Sequence, residues 1–111
     1  MDITVRDQAS IKIVHLSGEV DMHSSPKVRL SILESLKHKL PVLVELSAVT
    51  YMDSSGVASL VEGFQTAKKQ GSEFGLLAVA QPVMNVLKLA RLDRVFPIHA
   101  SLEERLVNAA G

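Results

Sequence analysis

"TYMDSSGVASL", Thr50 to Leu60, joins an apolar run to a stretch with helical spacing through an acid, two hydroxyls and a glycine. Upstream, "VLVEL" (Val42 to Leu46) alternates, with Val42, Val44 and Leu46 on one face and Leu43 and Glu45 on the other, as a strand of side-chain period two requires. Downstream, from about Ser55 to Gln70, Val57, Leu60, Val61, Phe64 and Ala67 recur at helical spacing; Lys68 and Lys69 fall in the last turn and Gly71 supplies the stop. The period switches at Asp53. A strand running directly into a helix sets the type of unit from which the rest of the chain is read.

Working outward, Ile3–Arg6 and Ile11–Ser17 are short segments rich in Ile and Val, separated by Asp7-Gln8-Ala9-Ser10, and predict a hairpin and an antiparallel start. After Gly18-Glu19-Val20-Asp21, Ser25 is placed to cap a helix with Pro26 in its first position, where a missing N–H costs nothing. This helix is expected to run to about Lys39, with Val28, Leu30, Ile32, Leu33, Leu36 and Leu40 supplying an apolar stripe, Lys37 and Lys39 at its negative end and Pro41 as its stop. Phe74–Ala80 reads as a second buried strand, Pro82 opens a helix ending near Leu92, Val95–His99 is a last short strand, and Ser101 caps a final helix with Glu103 and Glu104 at its positive end. Strands alternating with helices imply right-handed parallel crossovers. The expectation is one α/β domain over 1–111: a mixed, mostly parallel sheet with an antiparallel N-terminal strand and about four helices.

Composition removes several functions. Twelve basic and twelve acidic residues cancel, and with one Tyr, three Phe and no Trp the chain offers neither a basic field nor stacking platforms for nucleic acid. The absence of cysteine excludes thiolate metal sites and a disulfide framework. No signal-like segment or membrane-length apolar run occurs, so a cytoplasmic location without membrane insertion is expected.

In open α/β sheets, functional groups gather beyond the carboxyl ends of the strands, beside helix N-termini. Asp53-Ser54-Ser55-Gly56 and Gly18-Glu19-Val20-Asp21 both read as lying there, on one edge of the molecule. A helix cap accounts for one of the three polar side chains in Asp53–Ser55. At least one hydroxyl is left free to face solvent at the positive end of a helix dipole, where a phosphate can sit. Nucleophilic catalysis lacks a GxSxG elbow, and His15, His23, His38 and His99 show neither a base arrangement nor metal-ligand spacing. Phosphoryl transfer to Asp53 needs Mg²⁺ held by further carboxylates, and the strand ends offer only Glu19, Asp21 and Asp53. Gly56, Gly63 and Gly71 form no phosphate loop. No metal or cofactor is expected.

The order of elements, "GEVD" at Gly18–Asp21, "YMDSSGVASL" after a Val-rich strand, and "SEFGLLAVAQPVMNVLKLARLDRVFPIHAS" together resemble the STAS domain of bacterial anti-sigma factor antagonists over essentially the whole chain. The resemblance implies a non-enzymatic switch. Its unphosphorylated form binds an anti-sigma factor that is also a serine kinase of the GHKL-ATPase type, which frees a sigma factor. Phosphorylation by that kinase stops the binding, and a PP2C-type phosphatase restores it. The hydroxyl residue directly after the Asp is the acceptor, which falls on Ser54. Asp53 and Ser55 flank it, Gly56 permits close approach, and Asp21 matches the acidic position of the neighbouring loop. The partner surface is expected on Gly18, Glu19 and Asp21, on Asp53, Ser54, Ser55 and Gly56, and on Ala58 and Ser59. The same domain also serves in sigma-independent partner switching and as a small subunit of lipid ABC transporters, which is the alternative reading.

Overall fold

The chain first reverses at Ala9 and Ser10, whose φ angles of 54° and 61° both lie in the left-handed region. Two positive-φ residues make a tight turn whose twist matches the strands it joins. The computed structural model describes residues 1–110; Gly111, the last residue of the expected domain, lies outside them. The turn leaves β1 (Asp2–Gln8) and β2 (Ile11–Val20) in uninterrupted antiparallel register, from Gln8 opposite Ile11 to Asp2 opposite Ser17. The loop is therefore tighter, and both strands are longer, than the sequence suggested.

The rest alternates: α1 (Ser25–Leu36), β3 (Val42–Met52), α2 (Ser54–Gln70), β4 (Phe74–Leu77), α3 (Gln81–Leu89), β5 (Ile98–His99) and α4 (Leu102–Ala110). The strands form one sheet in the order β1-β2-β3-β4-β5, parallel from β2 onward, which is the expected α/β architecture. Val28, Ile32 and Leu36 of α1, Leu60 and Ala67 of α2, and Val83 and Leu87 of α3 pack on Val14, Leu16, Val42, Val44, Leu46 and Leu76 of the sheet. On the other face Ile11, Ile13, Leu43 and Leu77 form a smaller cluster capped by Leu102 of α4. The alternation in Val42–Leu46 thus separates two cores, and Arg105 fastens α4 by an ion pair with Glu73.

Several boundaries differ from the sequence reading. Gly18-Glu19-Val20 does not follow β2 but completes it, paired with β3 through register shifts on either side of Ser17 and Gly18. Gly18 takes φ 86°, which a non-glycine residue adopts only with strain. Ser24, not Ser25, is the residue before α1, and the helix stops at Leu36 because Lys39 turns left-handed at φ 60°. Lys37 and Lys39 lie beyond its last turn, and Leu30 is 57% exposed, off the Val28–Ile32–Leu36 row. β4 ends at Leu77, where Ala78 adopts φ 48°. α3 stops at Leu89, and Val95 and Phe96 are held in a turn by the Leu92 carbonyl, leaving β5 with two residues. Gly71 (φ 72°) ends α2, and the Ser101 hydroxyl accepts from the Glu104 N–H at 3.1 Å, both as expected.

Candidate functional site

β2 and β3 end side by side, with Glu19 opposite Tyr51 and Val20 opposite Met52, and the Asp53 N–H donates to the Val20 carbonyl at 3.2 Å. The two loops that follow are thereby brought to one edge of the sheet. One runs from Asp21 to Ser24 into α1; the other is Asp53 itself, opening α2.

Asp53 caps α2 from an extended conformation (φ −102°, ψ −172°). Its Oδ1 accepts from the Ser55 N–H at 3.0 Å, the Gly56 N–H at 3.3 Å and the Ser55 hydroxyl at 2.5 Å. The Ser55 hydroxyl is the main cause holding the Asp53 carboxyl below its ordinary value; the Gly56 and Ser55 N–H groups add to it and outweigh partial burial. One carboxylate oxygen therefore commits both the cap and the second serine. Ser54 is exposed, and among the described residues its hydroxyl makes no hydrogen bond. Residue type and spacing alone do not tell these serines apart; their hydrogen-bond partners do.

Gly56 is buried. A Cβ there would stand 2.7 Å from Met52 Cγ and 2.8 Å from Val20 Cγ1, so the missing side chain lets the first turn of α2 rest on the ends of β2 and β3. Asp21 plays the matching part in the neighbouring loop. Its Oδ1 accepts from the N–H groups of His23 (2.9 Å) and Ser24 (3.1 Å), while its own N–H donates to the Ser24 hydroxyl at 3.0 Å. The Ser24 N–H is the first cause of its lowered pKa, followed by that of His23. Asp21 thus caps the turn that precedes α1 rather than the helix itself.

The remaining candidates divide by exposure. Glu19 and Ala58 are exposed, and Gly18 is half-buried within β2. Ser59 is buried: its hydroxyl lies 3.2 Å from the Ser55 carbonyl and 3.3 Å from the Ser25 carbonyl, inside the α1–α2 packing and turned away from solvent. Beside it a groove of about 370 Å³ runs between Pro26 and Leu30 of α1 and Ala58 of α2, spanned by the Arg29–Glu62 ion pair at 2.8 Å. Three large apolar side chains that the sequence reading did not assign to the site are exposed around this end: Met22 (72%), Leu30 and Tyr51 (49%). Only Leu30 carried a signal, since it falls between the four-residue steps of the buried row. Among the described residues no helix is long and apolar enough to cross a membrane.

The helix terminus shapes what a charge on Ser54 can do. The Ser55 and Gly56 N–H groups, which a phosphate would otherwise draw upon, already point at Asp53. A charge placed on the exposed Ser54 hydroxyl would stand next to that carboxylate.

The STAS domain model matches residues 2–105. The chain belongs to the STAS domain family. The "Anti-sigma F factor antagonist" of Paenibacillus polymyxa is 28% identical over 101 residues, 89% of this STAS chain and 86% of its own. The crystal structure of an anti-sigma factor antagonist from Mycobacterium paratuberculosis superposes with a TM-score of 0.87 at 26% identity, covering 99% of this chain and 94% of that one. The fold is also that of the anti-sigma factor antagonist SpoIIAA in its unphosphorylated form, at 19% identity and a TM-score of 0.81 over 99% of this chain and 97% of that one. SpoIIAA of Bacillus in its phosphorylated form gives 0.74 at 18% identity, over 97% and 99%. These relatives are named for a regulatory role and not for a reaction.

Proposed function

We propose that this STAS domain is an anti-sigma factor antagonist switched by phosphorylation of Ser54. Unphosphorylated, it binds an anti-sigma factor of the GHKL-ATPase kinase type through the edge formed by Glu19, Asp21, Asp53–Ser55 and Ala58, with Gly18, Gly56 and Ser59 shaping that edge from beneath. The kinase phosphorylates Ser54, binding is lost, and a PP2C-type phosphatase resets the cycle in the cytoplasm. The observation that carries this reading is the division of labour at the α2 start: Asp53 and Ser55 satisfy each other and the helix, and Ser54 alone keeps an exposed, unengaged hydroxyl. The relatives, known as anti-sigma factor antagonists, support an anti-sigma factor as the partner.

The energetics favour exclusion over refolding. A phosphate brings about −1.5 to −2 charges, and the Ser55 and Gly56 N–H groups that could absorb it already bond to Asp53. Across an interface an unmatched or like-charge contact costs several kcal/mol, and about 1.4 kcal/mol is a tenfold change in affinity. Incubation with the cognate kinase and ATP, followed by mass spectrometry, should map one phosphate to Ser54. Labelling that persists in Ser54→Ala, or that falls on Ser55, rejects the acceptor assignment.

A further inference from the structure

The two edges of the sheet are unequal. β5 presents two residues, whereas β1 presents seven, without a proline or a register shift. Short strands, prolines, bulges and charged side chains are the usual protections of a free edge, and of these β1 has only the charges of Asp2, Arg6 and Asp7. Because Gln8 and Ile11 close a two-residue turn, they form a hydrogen-bonded pair. The antiparallel alternation then directs the N–H and C=O groups of Thr4 and Arg6 inward to β2 and those of Ile3, Val5 and Asp7 outward.

On the helix-bearing face this edge carries Ile3 and Val5, followed by Asp7, which pairs with Lys12 at 2.8 Å. Ile3 packs against the main core, and Val5 (43% exposed) borders a groove of about 330 Å³ between β1 and α1, together with Leu30. We propose that β1 is a self-association edge: two copies pair antiparallel with Thr4 opposite Thr4, joining their sheets into one.

Hydrogen-bond phase and charge select this register. The outward groups of Ile3 and Val5 can bond only to outward groups of the other copy, which excludes every register shifted by one residue, including the one that sets Asp2 against Asp7. With Thr4 on the two-fold axis, Ile3 bonds to Val5 of the other copy. Asp2 then stands opposite its Arg6 in both symmetric non-hydrogen-bonded pairs, where side chains approach most closely. With Val5 on the axis, Asp7 faces Ile3 and Arg6 faces Thr4; with Ile3 on the axis, Asp2 faces Thr4. Neither matches a charge. Arg6 is available for the new pair: its side chain is about half exposed and its contacts to Glu45 and Gln8 are long, 3.4 Å each. The same register lays the exposed Val5 of each copy along the seam beside Leu30.

Sedimentation velocity on the full chain, from micromolar to near-millimolar concentration, tests this. The wild type should shift from monomer to dimer mass. Val5→Pro removes one outward N–H without touching the ladder to β2, and should remain monomeric with an unchanged circular dichroism spectrum. Asp2→Arg and Arg6→Asp each place like charges opposite one another and should be monomeric alone, yet associate when mixed, because the mixture restores both opposite-charge pairs. A wild type that stays monomeric throughout overturns the proposal. So does a dimer unaffected by Val5→Pro, or a mixture that stays monomeric although the wild type dimerises.

Discussion

Substituting Gly56 by alanine tests whether the site is assembled as described. Gly56 is the third residue of α2, and in an exposed helix interior the change would stabilise the chain by about 1 kcal/mol. Here the new Cβ meets Met52 Cγ at 2.7 Å and Val20 Cγ1 at 2.8 Å, and both side chains are buried at the ends of their strands. Overpacking a well-filled site costs about 1–3 kcal/mol, and two such contacts on buried groups place this one in the upper part of that range. Set against the helical gain, the net loss is about 1–2 kcal/mol. For a chain of this size that lowers Tm by about 4–8 °C, measured by circular dichroism melting. Val20→Ala removes one of the two clashing carbons, so the double variant should lose less than the two single losses together, with a coupling of about 0.5 kcal/mol or more. A Gly56→Ala variant that melts above the wild type, or strict additivity with Val20→Ala, refutes the claim that the glycine seats α2 on β2 and β3.

The two serines should separate cleanly. Ser54→Ala removes a hydroxyl without a partner and should leave Tm unchanged, whereas Ser55→Ala removes the bond to Asp53 and should lower it by a few degrees; thermal melts of both variants check this. Acid should destabilise the site with a definite sign. Asp53 and Asp21 have folded pKa values below the ordinary 3.8, so the unfolded chain binds more protons; their stabilisation is present above that value and is lost as pH falls through the folded values. Urea unfolding across that range should show a shallower acid limb for Asp53→Asn, which keeps a capping oxygen but cannot titrate.

Much of this arrangement was legible because single residues decide it locally. Asp53 marks the switch of period, Gly71 takes the left-handed cap, Ser101 caps α4, and Val42–Leu46 alternates between two cores. The rest depended on neighbours. Gly18-Glu19 has the composition of a loop, and only pairing with β3 carries β2 through it to Val20. Ser24 and Ser25 are equivalent by type, but the Ser24 hydroxyl is held by Asp21, which moves the helix start by one residue. The short β5 reflects a turn built on the Leu92 carbonyl, which no local periodicity reports. At the site, the acid, the hydroxyls and the glycine were readable as a group. Which serine is free and which residues are buried, Ser59 among them, followed only from the packing of α2 against α1 and the strand ends.

The central claim is that charge at Ser54 sets partner binding while the fold stays as it is. Isothermal titration calorimetry of the anti-sigma factor against unphosphorylated and stoichiometrically Ser54-phosphorylated protein, with circular dichroism on both forms, measures this directly. The account predicts matching spectra and an affinity lower by about a hundredfold or more in the phosphorylated form, in keeping with a like-charge contact worth several kcal/mol. Equal affinities for the two forms would contradict it, even with Ser54 fully modified.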